Sequence, residues 1–216
     1  MKLAKGDKVA IVCCSNGKSL SKKKEIENLK VILEEMSLIP VFSKYIYQKI
    51  SLEEVENNLK GFPESGSPLE KARELMEFYE DASIKAIFDI SGGDLANTIL
   101  PYLDYERIVS VKKQFCGYSD LTTIINAIYA KTQKVSVLYQ IRNLLYEYSA
   151  KQKEDFIKTC FTKDLNNIIN NDAVKMMEKN NLYDLSVENS GLYQFPYKFY
   201  QGKTVEGLVV GGHIRC

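Results

Sequence analysis

The chain has 216 residues, 45% of them hydrophobic and 26% charged, and 29 basic side chains against 28 acidic ones leave a formal net charge of +1. That composition suits one ordinary globular domain with some further material, and an even charge balance without a basic block or acidic tail excludes a nucleic-acid surface. No apolar run reaches the ~18 residues of a membrane span, and the N-terminus enters a strand without a signal-type apolar core, so no membrane partner is expected and a cytoplasmic location is.

Lys8 to Cys14 (K-V-A-I-V-C-C) is a short apolar run of the kind found in a parallel sheet covered on both faces. Ser15-Asn16-Gly17 ends it. Small polar residues there are either a plain turn or a cradle of free N–H groups for a phosphate, although no nucleotide-loop glycine or lysine pattern accompanies them. Ser21 to Met36 predicts a helix whose buried face carries Ile26, Leu29, Leu33 and Met36. Leu38 to Phe42 is a second strand, and Pro40, which lacks an N–H, places it near a sheet edge.

Residues 43 to 66 are less regular, with a loop at 61 to 66. Ser67-Pro68-Leu69-Glu70 is a helix start: a capping serine, proline at the first helical position and a glutamate that can reach back. Leu69, Ala72, Leu75, Met76 and Tyr79 are the expected inner face. Ile84 to Ile90 is the next strand, and Ser91-Gly92-Gly93-Asp94 turns it into a helix around Leu95 to Leu100 that Pro101 ends. Gln114 to Gly117 and Val135 to Tyr139 are two further strands flanking a helix from Leu121 to Lys131. Strand-helix alternation of this kind predicts an α/β fold, a flavodoxin-like parallel sheet flanked by helices with right-handed crossovers.

Arg142 to Asn181 is polar and helical in composition. Gly191 to Gly212, rich in aromatic and β-branched residues with glycines, reads as the opening strands of a β-rich domain. The expected boundaries are an α/β domain over 1–145, a helical connection over 146–190 and an incomplete C-terminal domain over 191–216. About 25 residues cannot hold a core of their own. Val205 to Val210 is then an uncovered strand, and self-association, as a homodimer or otherwise, is expected.

The five cysteines, Cys13, Cys14, Cys116, Cys160 and Cys216, show no C-x-x-C spacing and read as small buried hydrophobes of a reducing compartment. With His213 as the single histidine, neither a zinc site nor any other metal or cofactor is expected.

One segment carries chemistry: Gln114-Phe115-Cys116-Gly117-Tyr118-Ser119-Asp120, a buried strand that turns at Ser119 into a helix. A serine so placed is either an N-cap or a nucleophile presented beside the N–H groups of a helix start. Position 121 is Leu, which disfavours the G-x-S-x-G elbow of α/β-hydrolases. Gly92-Gly93 ends the preceding strand, and loops at the carboxyl ends of neighbouring parallel strands converge on one crevice. The pair is either a tight turn or a site where the Gly93 N–H faces Ser119, with the Asp120 N–H as a second oxyanion donor. His213 follows Gly211-Gly212 with no domain to hold it and is not assigned as the base.

The order of segments resembles the LD-carboxypeptidase family of serine peptidases. It is carried by Asp81 to Phe88, Gly92-Gly93-Asp94, Leu100-Pro101-Tyr102-Leu103-Asp104-Tyr105 and Phe115-Cys116-Gly117-Tyr118-Ser119-Asp120-Leu121-Thr122. The Gly-Gly-Asp form and the Leu-Pro-Tyr-Leu-Asp-Tyr continuation are similar to its microcin C immunity branch. The resemblance implies a Ser-Glu-His triad with Ser119 as nucleophile, the N–H groups of Gly93 and Asp120 as oxyanion hole, and no cofactor. It also implies that glutamate and histidine come from a C-terminal domain beyond the Gly-Gly turn, so both are expected to be absent from this chain. Tyr139-Gln140-Ile141 departs from the family's Tyr-Gly-Pro-like turn.

The implied reaction is hydrolysis of an amide next to a free carboxylate, in a small peptide such as an LD-linked muropeptide or in an aminoacyl-nucleotide. A serine without its base is a weak nucleophile, so a C-terminally truncated chain is expected to keep only the small rate that an oxyanion hole and binding supply. The competing readings are a small-molecule binding module and a split-gene fragment completed by a second chain.

Overall fold

The computed structural model describes residues 2–48, 64–145 and 149–162. The chain divides into two compact units, the first running from Leu3 to Arg142 and the second beginning at Asn143.

The first unit is a five-stranded, wholly parallel sheet in the order β2-β1-β3-β4-β5. The strands are β1 (Lys8–Val12), β2 (Ile39–Phe42), β3 (Ile84–Asp89), β4 (Phe115–Gly117) and β5 (Val137–Leu138). Their helices are α1 (Lys23–Glu35), α2 (Pro68–Glu80), α3 (Tyr105–Ser110) and α4 (Thr122–Thr132). The interior strand β1 buries every residue from Val9 onward, because alternate side chains meet a covered face on either side of the sheet. Ala10 and Val12 join Leu75, Tyr79, Ile87, Ile99, Ile108, Phe115, Leu121 and Ile124 in one continuous apolar cluster. Val9 and Ile11, which point the other way, are equally buried. The inner stripe of α1 is Ile26, Leu29, Ile32 and Leu33, each such side chain worth about 1.5–3 kcal/mol when fully removed from water.

Several expectations hold in detail. The strand containing Pro40 lies at the sheet edge. The Ser67 side chain accepts from the Glu70 N–H while the Glu70 carboxylate accepts from the Ser67 N–H, closing the capping box that starts α2.

Others need correction. Met36 is the C-cap of α1 and only half-buried, its place in the stripe taken by Ile32. Leu69 is exposed and does not belong to the inner face of α2. The segment after Gly93 is a 3₁₀ helix, Ala96–Tyr102, with Pro101 inside it. Thr98 donates its hydroxyl to the Leu95 carbonyl at 2.6 Å, a local bond that competes with α-helical pairing. Helix α3 was not anticipated. It is only six residues long, and its start is held by the Asp104 carboxylate accepting from the Arg107 N–H at 3.0 Å.

In the second unit, α5 (Ser149–Ile157) carries Glu154 one turn from Lys158, with which it pairs. Among the described residues no helix is long and apolar enough to cross a membrane. The β-rich segment expected over 191–216, with Val205 to Val210, His213 and Cys216, lies outside the described residues.

Candidate active site

The chain passes from β1 to β2 on one side of the sheet and returns to β3 on the other. The crossovers therefore diverge at the carboxyl ends of β1 and β3 and leave a crevice there. Three loops meet at this edge: Cys13 to Gly17 after β1, Ile90 to Asp94 after β3, and Tyr118 to Asp120 after β4.

The loop after β4 is built to make a corner. A Cβ on Gly117 would stand 2.8 Å from the Leu121 Cβ, so the strand folds back onto the helix only with glycine there. Tyr118 is extended and half exposed. Ser119 then takes φ +62°, the left-handed region that costs a residue with a Cβ about 1–2 kcal/mol. A 3₁₀ turn, Ser119–Leu121, leads directly into α4, and the Thr122 hydroxyl donates to the Ser119 carbonyl at 2.8 Å. Leu121, wholly buried, anchors the turn. Among the described residues nothing accepts a hydrogen bond from Ser119 Oγ.

The loop after β3 faces that corner. A Cβ on Gly92 would stand 3.9 Å from the Cβ of Ser119. Gly93 has φ +143°, and a Cβ on it would fall 2.1 Å from Cγ of Asn16. Glycine is thus required at 93, by its φ and by the close approach of the β1 loop, whereas at 92 an added Cβ would make only ordinary contact with the serine.

Beneath these loops lies a buried polar network. The Asp89 carboxylate accepts from the Cys14 N–H at 2.8 Å and from the N–H of Ser91 at 2.7 Å, as well as from the Ser91 hydroxyl. Burial raises its pKa, and the hydrogen bonds from Ser91 and Cys14 oppose that. The Ser15 N–H donates to Ser91 Oγ at 3.0 Å, and Lys71, almost wholly buried on α2, donates to the Ser15 carbonyl at 2.5 Å. Ser15 Oγ donates to Oδ2 of Asp120, whose Oδ1 is buried without a partner among the described residues.

The phosphate-cradle reading of Ser15-Asn16-Gly17 therefore meets an obstacle. Of its own N–H groups, that of Ser15 is engaged with Ser91, and the flanking N–H groups of Cys14 and Lys18 are engaged with Asp89 and the Ile46 carbonyl. The thiols do not compete with Ser119 as nucleophiles. Cys13 is pushed up to about 12 and Cys14 well above its ordinary value, chiefly by burial and then by the Asp89 charge, so both stay protonated.

Ser119, Gly92, Gly93 and Asp120, all singled out in the sequence, are brought to one place. His213 lies outside the described residues. The residues that sequence reasoning missed are Asp89, Ser91 and Lys71; their one signal is polar character at the end of an apolar strand or on the inner side of a helix.

Fold and site together define a parallel α/β domain that carries a half-buried serine at a strained strand-to-helix corner. The profile of the LD-carboxypeptidase N-terminal domain matches residues 9–140, and the chain belongs to that family, in its MccF-like branch. Over 135 residues it is 33% identical to YocD of Bacillus subtilis (strain 168), covering 62% of this chain and 38% of that protein. It is 29% identical over 169 residues to the Escherichia coli microcin C7 self-immunity protein MccF, covering 71% of this chain and 46% of MccF. The structure of MccF in complex with glutamyl sulfamoyl guanosine superimposes with a TM-score of 0.64 at 26% identity, covering 74% of this chain and 46% of that one. A MccF-like protein from Bacillus anthracis strain Ames gives 0.63 at 28% identity, with the same coverage. The chain thus spans less than half the length of these relatives.

Proposed function

We propose that this domain supplies the nucleophile of a serine carboxypeptidase-type hydrolase that cleaves an amide next to a free carboxylate. In this reading Ser119 Oγ attacks the carbonyl, and the oxyanion that forms is met by the N–H groups of Gly93 and Asp120. An acyl-enzyme follows, which water resolves. The observation that supports this most directly is the pairing of a positive φ at Ser119 with the 3.9 Å approach of Gly92. A serine serving only as an N-cap has extended backbone and accepts from the helix N–H groups, whereas here, among the described residues, the helix starts have no side-chain cap bond and Ser119 Oγ accepts from none of their N–H groups.

The relatives support a substrate class. MccF has been solved with glutamyl sulfamoyl guanosine and with aspartyl sulfamoyl adenosine, so an acidic aminoacyl-nucleotide is the proposed substrate here, with a muropeptide as the other candidate. The triad glutamate and histidine are not among the residues described. The reading is tested by incubating the whole chain with a fluorophosphonate and locating the adduct by mass spectrometry. An oxyanion hole alone is worth about 10²–10³ in rate, so Ser119 in the native chain should be labelled at least tenfold faster than in urea. Equal rates in the native and unfolded chain would overturn the reading.

A further inference from the structure

The loop after β1 holds both sides of the Ser119 corner at once. Ser15 is wholly buried, and its hydroxyl accepts from the Leu95 N–H at 3.2 Å while donating to Oδ2 of Asp120. That same carboxylate oxygen accepts from the Ala96 N–H at 3.3 Å. Asn16, the next residue, accepts from the Asp94 N–H through Oδ1 at 3.2 Å, and its side-chain amide lies directly over the Cα of Gly93. Three loops separated by as many as 105 residues of chain are therefore joined at two adjacent side chains.

This arrangement has a geometric consequence. The Gly93 N–H belongs to the β3 loop and the Asp120 N–H to the β4 loop, and no strand-to-strand hydrogen bond spans those two loops beyond Phe88 and Cys116. Their separation is set by what bridges them, and the hydrogen bonds that do so run through Ser15, Asn16 and the Asp120 carboxylate. Oxyanion stabilisation depends on donors held at 2.7–3.1 Å from the developing charge before it forms, so whatever fixes the separation controls the rate.

We propose that Ser15 and Asn16 are positioning residues, a two-residue clamp that holds the Gly93 loop and the Asp120 backbone at the spacing needed to receive an oxyanion formed on Ser119. This rests on the reading of Ser119 as nucleophile and adds to it the residues that aim the donors. Neither clamp residue exchanges a proton with substrate; each acts through the loops it ties together. Backbone at φ +143° beside Asn16 fits this role, since glycine at 93 would otherwise be free to swing.

The test uses the whole chain and fluorophosphonate acylation of Ser119, read by mass spectrometry across pH 6–9, with thermal unfolding in parallel. Ser15→Ala and Asn16→Ala should each slow acylation at least tenfold without moving its pH profile, because a clamp supplies no titrating group. Asn16→Asp, which keeps the Oδ acceptor for the Asp94 N–H, should recover most of the rate. Asn16 is half-exposed, so Asn16→Ala decides the matter should Ser15→Ala fail to fold. If wild-type Ser119 is labelled in a fold-dependent way and Asn16→Ala is labelled equally fast, the clamp is wrong and the nucleophile stands. If Ser15→Ala or Asn16→Ala shifts the pH profile, the side chain acts in proton transfer and the clamp is likewise wrong. If wild-type Ser119 is labelled no faster than in urea, nucleophile and clamp fall together.

Discussion

Gly92 lies opposite Ser119, close enough that an added methyl would stand 3.9 Å from the serine Cβ, whereas its neighbour Gly93 is pressed against Asn16 at φ +143°. The two glycines should therefore respond differently to the same change. Gly92→Ala meets only ordinary van der Waals contact, so its stability should stay within about 0.5 kcal/mol of the parent. Its methyl occupies space a reacting carbonyl needs, and acylation of Ser119 should fall at least tenfold. Gly93→Ala combines backbone strain with displacement of Asn16 and should cost about 1–3 kcal/mol. Chemical denaturation of the two variants side by side checks the contrast; equal destabilisation would contradict the geometry.

Strain at Ser119 makes a second expectation. Its φ of +62° is tolerated by glycine and resisted by any residue with a Cβ. Ser119→Gly should be more stable than Ser119→Ala by about 0.5–1 kcal/mol, the left-handed penalty less glycine's greater entropy when unfolded. Both should lose fluorophosphonate labelling at position 119. A stability order with alanine above glycine would mean the corner is relaxed in solution.

Cys13 has its thiol pushed up to about 12 by burial and the neighbouring Asp89 charge. At pH 8 the thiolate fraction is then on the order of 10⁻⁴, and iodoacetamide reacts with thiolate alone. In the native protein Cys13 should be alkylated at least a hundredfold more slowly than in urea, as quantified on the peptide that contains it. Rapid native alkylation would show the β1 loop to be open.

Asp89 titrates in the opposite sense to a surface-paired carboxylate. Burial raises its pKa in the folded chain, so between the ordinary carboxylate value and that raised value the native state holds more protons than the unfolded state. Stability then falls as pH rises through that window, with a limiting slope of about 1.4 kcal/mol per pH unit for one proton. Asp89→Asn removes the group, so the stability difference between parent and variant should shrink with rising pH above about 4, measured by urea unfolding. A difference that grows with pH would mean that the hydrogen bonds from Cys14 and Ser91 outweigh the burial.

Much of the fold was legible wherever a local pattern had one physical solution. Ser67, Pro68 and Glu70 could only begin a helix, and Pro40 could only sit in a strand lacking a partner on one side. Helix α3 and the 3₁₀ character of Ala96–Tyr102 were not legible, because six or seven residues give no periodicity and side-chain bonds from Thr98 and Asp104 decide their form. Leu69 shows the remaining limit: its helical spacing is right for the inner face, yet it is exposed, because periodicity names a face and not what packs against each turn of it.

The sequence by itself determined the parallel α/β class, the glycine pair and the serine between strand and helix, since each of these is written in neighbouring residues. Only the tertiary structure decided that Ser15 reaches Asp120, that Asn16 covers Gly93, and that Asp89 and Lys71 are buried beneath them. Such contacts join residues as many as 105 positions apart. They arise because parallel strands deliver their loops to one edge, and no local pattern records which loop will lie beside which.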